Sequence, residues 1–167
     1  IDMYNEEMME KYVNHPKCIA IGECGLDYFR LPEDEDEKIA NVEKQKEVFI
    51  SQIEFAKKVK KPLIIHIREA SNDSRQILID YNAKEVGGVL HCYNASEHLL
   101  PLSEHNFYFG IGGVLTFKNA KKLIEVLPKI PKDKLLIETD APYLTPHPHR
   151  GERNEPYYTV FVAQKMA

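Results

Sequence analysis

The sequence predicts an α/β protein built on a parallel sheet. Five short apolar runs carry this reading: Cys18–Glu23 (CIAIGE), Leu63–Ile67 (LIIHI), Gly88–His91 (GVLH), Phe107–Gly113 (FYFGIGG) and Leu135–Asp140 (LLIETD). They are nearly continuous rather than alternating, as strands covered on both faces should be. Helical patterns lie between them, and β-α-β-α alternation is the signature of a parallel sheet.

Taken in order, the opening IDMYNEEMMEKYVNHP is acidic and helical in pattern, with neither the basic start nor the apolar stretch of a signal peptide. After the first strand, LPEDEDEK holds five consecutive acids, Glu33 to Glu37, read as a solvated loop leading into a helix. In that helix Val42, Phe49, Ile53, Ala56 and Val59 recur at three-to-four spacing, ending before Lys61 and Pro62. Ile77, Leu78 and Tyr81 form a shorter amphipathic set, and Asn119–Leu127 carries Leu123, Ile124 and Leu127, stopped by Pro128. Asn154, followed by Glu155 and Pro156, has the form of a helix cap with proline in the first turn. No repeat and no domain boundary stands out, so residues 1–167 are expected to form a single domain.

The net charge of −4 and ordinary apolar content describe a soluble globular protein. An acidic balance argues against a general nucleic-acid coat protein, although not against an enzyme whose metals meet the phosphate. No apolar run approaches the ~18 residues of a membrane span. Three cysteines, Cys18, Cys24 and Cys92, follow no framework spacing, which favours a reducing cytoplasm.

The chemistry collects at strand endings. The first run stops at Glu23, the second near His66, the third at His91 and the fifth at Asp140. In parallel β/α architectures the carboxyl edge of the sheet is where active sites assemble. Two imidazoles and two carboxylates make a mixed nitrogen and oxygen set suited to divalent cations. Each alone has a bland account: a histidine closing a strand is often a hydrogen-bonded structural residue, and either acid could cap a turn. Four such endings on five strands favour a site. Glu138 and Asp140 fall on the same side by strand period, so parity does not separate them. His147 and His149 sit in a proline-rich loop and stay open, while Cys24 and Cys92 are expected to pack on the opposite face. Arg68 could reach a phosphate oxygen or pair with Glu69 or Asp73. Arg150, Arg153 and Asn154 lie in a loop whose guanidinium groups suit phosphate, or equally brace Glu152 and Glu155.

The segments IGECGLDYFR, PLIIHIREA, GVLHCYNAS, FGIGG, LLIETDAPYLTP and PHRGERNEP, in this order, resemble the TatD family of metal-dependent deoxyribonucleases from about Lys17 to the end. The resemblance implies a (β/α)8 TIM-barrel of the amidohydrolase type and a dinuclear site for two divalent cations (Mg, Mn or Zn) that hydrolyses phosphodiesters. It implies that Glu23 bridges the cations, that His66 and His91 hold one, and that Asp140 binds the other and orients or deprotonates the attacking water. It places Asp140 at the metals and leaves Glu138 deeper, in a salt-bridge or hydrogen-bond role. The family's His-x-His and Gly-x-His-Pro segments are not in this sequence. About five of eight βα units are therefore expected, and the chain is read as the C-terminal portion of a longer barrel.

The leading expectation is thus a cytoplasmic hydrolase with DNA as substrate, with no membrane association and no obligate protein partner. Two others stand beside it. The same rim could hydrolyse a small amide, lactone or phosphoester, since a fold does not fix a reaction. An inactive fragment could instead bind partners through exposed sheet edges.

Overall fold

A computed structural model describes residues 4–167, and the chain divides into two compact units, Ile1–Val89 and Leu90–Ala167. Both follow the predicted β-α order.

The first unit opens with α1 (Glu6–Val13), whose first turn is capped by the Asn5 side chain accepting from the Met8 amide at 3.0 Å. Strand β1 (Ile21–Asp27) pairs in parallel with β2 (Leu63–Arg68). Between them runs α2 (Glu35–Val59), and α3 (Ser71–Asp80) follows β2. The acidic run is not a free loop. Asp34 caps α2 by accepting from the Glu37 amide at 3.0 Å, and Glu35, Asp36 and Glu37 fill the first turn, where the helix dipole favours negative charge. At the other end Lys60 adopts a left-handed conformation (φ 55°) and Pro62 follows, as the stop signal predicts. The apolar stripe of α2 buries Phe49, Ile53 and Ala56 completely, and Leu26 of β1 and Leu63 and Ile65 of β2 are equally closed to solvent.

One strand differs from expectation. The apolar run suggests Cys18–Glu23, but β1 begins at Ile21 and continues to Asp27. The Cys18 amide turns back to the His15 carbonyl (2.8 Å), and the ladder starts only where the Ile21 amide reaches the Pro62 carbonyl (2.8 Å). Glu23 therefore lies within the strand, at a register irregularity between Ile21 and Cys24.

Strand β3 (Gly88–Leu90) falls where one unit gives way to the other along the chain. The second unit carries β4 (Phe107–Ile111) and β5 (Leu135–Ile137), paired in parallel with Gly110 opposite Leu136 and Ile111 opposite Ile137. Helices α4 (Lys121–Val126) and α5 (Thr159–Met166) belong to this unit. So does a nine-residue 3-10 run, Glu97–His105, which holds Pro101. Its core is Leu102, Phe107, Phe109 and Val126, all fully buried, with Tyr93 edge-on to Phe109 at 4.9 Å between ring centres. Residue Asn154, expected as a helix cap, instead sits one residue before the cap position, which Glu155 occupies.

Glu97 joins the 3-10 run to the segment around α4. Its carboxylate meets Lys122 at 2.6 Å and Lys129 at 2.9 Å. Hydrogen bonds from Lys122 and then Lys129 hold its pKa down to about 2, against an ordinary 4.5. A depressed carboxylate stabilises the fold above its unfolded value and loses that contribution as pH falls from 4.5 toward about 2. Denaturant midpoints measured across this window should therefore fall more steeply in the parent than in Glu97→Gln, and the two curves should converge at the acid end. The difference will be small, because the pair is exposed to solvent. Parallel curves would remove Glu97 from the acid response.

Candidate metal centre

Each unit contains one histidine gripped by two carboxylates. In the first, Glu23 and Asp27 project from β1 and His66 from β2, with Gly25 of β1 opposite His66 in register. His66 Nδ1 lies 3.1 Å from Glu23 Oε1, and Nε2 lies 3.0 Å from Asp27 Oδ2. The end of β1 is fixed from α2: Gln45 accepts from the Asp27 amide at 2.8 Å and donates to the Asp27 carbonyl at 2.9 Å. The other oxygen of Asp27 accepts from the Phe29 amide at 2.9 Å. A cavity of about 510 Å³ opens here, lined by Glu23, Asp27, Gln45, Gln52 and His66 among others.

In the second unit His91 follows β3, and Glu138 and Asp140 follow β5. His91 Nδ1 lies 2.9 Å from Glu138 Oε2, and Nε2 lies 3.2 Å from Asp140 Oδ1. The second Glu138 oxygen accepts from the Cys92 amide at 2.6 Å. Glu138 is the enclosed member, with 17% of its side chain exposed against 39% for Asp140.

Of the four expected ligands, then, Glu23 stands beside His66 and Asp140 beside His91. Each pair suits a divalent cation in kind, and two donors 3.1–3.2 Å apart can both reach one ion, because such ligands stand ~2.0–2.2 Å from it. Among the described residues no group of three or more histidine, cysteine, aspartate or glutamate side chains is placed to hold a metal. The reason is visible: the two carboxylates of each trio take opposite nitrogens of the ring, so one ion cannot touch all three.

The arginines are engaged with aromatic rings. The Arg68 guanidinium stacks 3.5 Å over Phe29 and pairs with neither Glu69 nor Asp73. Asp73 instead takes Lys46 (3.0 Å) and the Tyr28 hydroxyl (2.9 Å). Burial alone would raise its pKa, but these two hydrogen bonds outweigh it and bring the value below the ordinary one. Arg150 stacks 3.9 Å over Phe117, and Arg153 is mostly exposed, 3.7 Å from Glu155. Asn154 is buried, donating to the Tyr143 carbonyl at 2.6 Å and accepting from the Glu155 amide at 2.9 Å. His149 stacks on Tyr158 with ring centres 4.5 Å apart. Cys24 is buried and its thiol is pushed up to about 12, first by burial and then by the Glu23 charge, which makes it a packing residue.

Sequence reasoning passes over Asp27 and Gln45. The signal for Asp27 is present, an acid two alternation steps beyond Glu23 on the same strand. Nothing local marks Gln45, whose role depends on how α2 lies against β1.

Known proteins resemble this chain along nearly all of its length. The family model described as TatD related DNase matches residues 2–167. The chain is 47% identical over 172 residues to the uncharacterized metal-dependent hydrolase YabD of Bacillus subtilis (strain 168), covering 100% of this chain and 64% of that protein. It is 36% identical over 169 residues to the 3'-5' ssDNA/RNA exonuclease TatD of Escherichia coli (strain K12), covering 97% and 62%. The crystal structure of YJJV, a TatD homologue from Escherichia coli K12, superimposes with a TM-score of 0.82 at 27% identity, over 96% of this chain and 59% of that one. This chain thus spans 64% or less of the length of each of these relatives. The chain belongs to the TatD-related DNase family.

Proposed function

We propose that this chain supplies the metal-holding rim of a hydrolase that cleaves phosphodiester bonds in nucleic acid, with single-stranded DNA as the leading substrate. The observation that carries the reading is the two close pairs, Glu23 with His66 and His91 with Asp140; the first pair projects from within β1 and β2, and the second follows β3 and β5. A relative named as a 3'-5' ssDNA/RNA exonuclease supports the substrate class.

In this reading Glu23, His66, His91 and Asp140 hold two divalent cations (Mg, Mn or Zn). When bound, such cations supply Lewis acidity and make water a nucleophile near neutral pH. The residues of the chain do the rest. Asp140, the more open acid beside His91, accepts the proton of the attacking water. Arg68 and Arg150 present guanidinium groups already ordered on Phe29 and Phe117, which lowers the entropic cost of gripping a phosphate. Arg153 is free enough to swing toward the same charge, and Asn154 shapes the loop that carries both. Cys18 and Cys24 are free cysteines, which goes with a reducing cytoplasm. No helix among the described residues is long and apolar enough to cross a membrane.

A second reading, a small phosphoester, amide or lactone, draws on the cavity beside Glu23 and His66, whose volume lies within the ~300–1,000 Å³ of small-molecule sites. One assay separates them. The intact protein, supplied in turn with magnesium, manganese and zinc, should shorten single-stranded DNA, and a chelator should stop it. Turnover of small esters or amides with untouched DNA would favour the second reading. Inactivity on every substrate with every metal would defeat both.

A further inference from the structure

We propose that Glu138 is the positioning residue of His91: it fixes the ring through Nδ1, so that Nε2 is the nitrogen turned to the metal, and Gly110 is a glycine to make room for it. The inference rests on the metal-site reading above and concerns the protein before any substrate binds.

Glu138 is held twice over. Its amide donates to the Ile111 carbonyl at 3.1 Å, which carries the β5 ladder one residue past the strand and sets the direction of the side chain. Its carboxylate then takes two donors from consecutive residues, Oε2 lying 2.9 Å from His91 Nδ1 and Oε1 accepting from the Cys92 amide at 2.6 Å. Cys92 has a left-handed backbone (φ 45°), which for a residue other than glycine is uncommon and needs support from its surroundings. The same turn is tied one residue later, where the Tyr93 amide donates to the Gly110 carbonyl at 3.0 Å.

Gly110 completes the device. A Cβ at this position would collide with the Glu138 carboxylate, reaching Oε2 and coming within 2.6 Å of its carboxyl carbon. A side chain at position 110 would therefore require the Glu138 carboxylate to move from its place beside the ring.

Burial decides which nitrogen carries the proton. Both neighbours of the ring are carboxylates, which only accept when ionised, and a neutral imidazole has one N–H. On the Nδ1 side the carboxylate is 17% exposed, so a bare nitrogen facing it would leave charge and lone pair with little water to relieve them. On the Nε2 side Asp140 is 39% exposed, and solvent or a cation can intervene across the 3.2 Å gap. The proton therefore sits on Nδ1, donated to Glu138, and the Nε2 lone pair faces Asp140. A ligating histidine whose other nitrogen donates to a carboxylate is thereby fixed in tautomer and made more basic.

Glutamine tests this because it cannot replace both functions. A carboxylate offers two acceptor oxygens, whereas an amide offers one acceptor and one donor. In Glu138→Gln, with the amide oxygen on the Cys92 N–H, the new side-chain NH2 would turn to Nδ1 and draw the proton to Nε2. Nitrogen NMR of His91 in the intact, metal-free protein, in mildly alkaline buffer, should show the proton on Nδ1 in the parent and on Nε2 in Glu138→Gln. Calorimetric titration with manganese or zinc alone should show affinity reduced about 10–100-fold in the variant. A parent ring protonated on Nε2 overturns the proposal, as does a variant with the parent's tautomer and affinity, even if it melts lower. Should the variant fail to fold, the parent's tautomer decides alone. No substrate enters these measurements, so a protein that passes them yet cuts no DNA would count against the nuclease reading only.

Discussion

Asp140→Ala in the intact protein should lower metal-dependent cleavage by about 10²–10⁴-fold, the range of a positioned proton acceptor, and leave stability nearly unchanged. Both halves follow from where the residue sits. Its carboxylate faces His91 Nε2 at 3.2 Å, where it can share a cation and take a proton from water. Its side chain is 39% exposed, and the turn after β5 depends on its backbone, through the Tyr143 amide donating to the Asp140 carbonyl at 2.7 Å. Alanine keeps that bond and removes a negative charge from beside a second one on Glu138. Exposed substitutions of this kind usually shift stability by no more than ~0.5 kcal/mol. The measurement pairs single-turnover cleavage with a thermal melt. Parent-like cleavage by the variant would remove Asp140 from the reaction, and a large drop in melting temperature would recast it as a structural residue.

Phe49→Ala is expected to be the most damaging single change in the first unit, costing about 3–5 kcal/mol through lost burial and the cavity left behind. Phe49 is fully enclosed on the core face of α2, in line with Ile53 and Ala56. Total stabilities of ~5–15 kcal/mol leave little margin for such a loss. The consequence reaches the site, because Gln45, one turn earlier on α2, clamps the Asp27 amide and carbonyl and so sets the acid that meets His66. Urea denaturation should show the loss, and His66 resonances should broaden or shift well below the midpoint. A cost under ~1 kcal/mol would mean that the apolar stripe of α2 does not carry the packing.

The TatD family assignment is available from motif order alone, because six separated segments specify chemistry more tightly than any one strand or helix does. Several residue roles are not. Sequence proximity makes Asp73 a candidate ion-pair partner for Arg68, yet Asp73 is satisfied by Lys46 and Tyr28, and the guanidinium lies on Phe29 instead. A cation can choose an aromatic face distant along the chain, and proximity in sequence does not reveal it. The acidic run misleads in the opposite sense. Five like charges suggest solvated loop, but Asp34 and its followers begin a helix because an N-cap and a favourable dipole act over a single turn.

Taken alone, the sequence determined the features that depend on local period and punctuation: parallel-type strands, the C-terminal limit of α2, and four ligand-type residues lying on strands or just after them. Strand period alone did not separate Glu138 from Asp140, since a repeat of two places both on one side; the family resemblance set Asp140 at the metals and Glu138 deeper. The tertiary structure distinguishes the two by burial. The enclosed acid binds the histidine ring and a neighbouring amide, with Gly110 leaving the space, while the open acid is left facing the other ring nitrogen. Solvent exposure arises only when strands from separate parts of the chain come together, and it is what distinguishes the enclosed Glu138 from the more open Asp140.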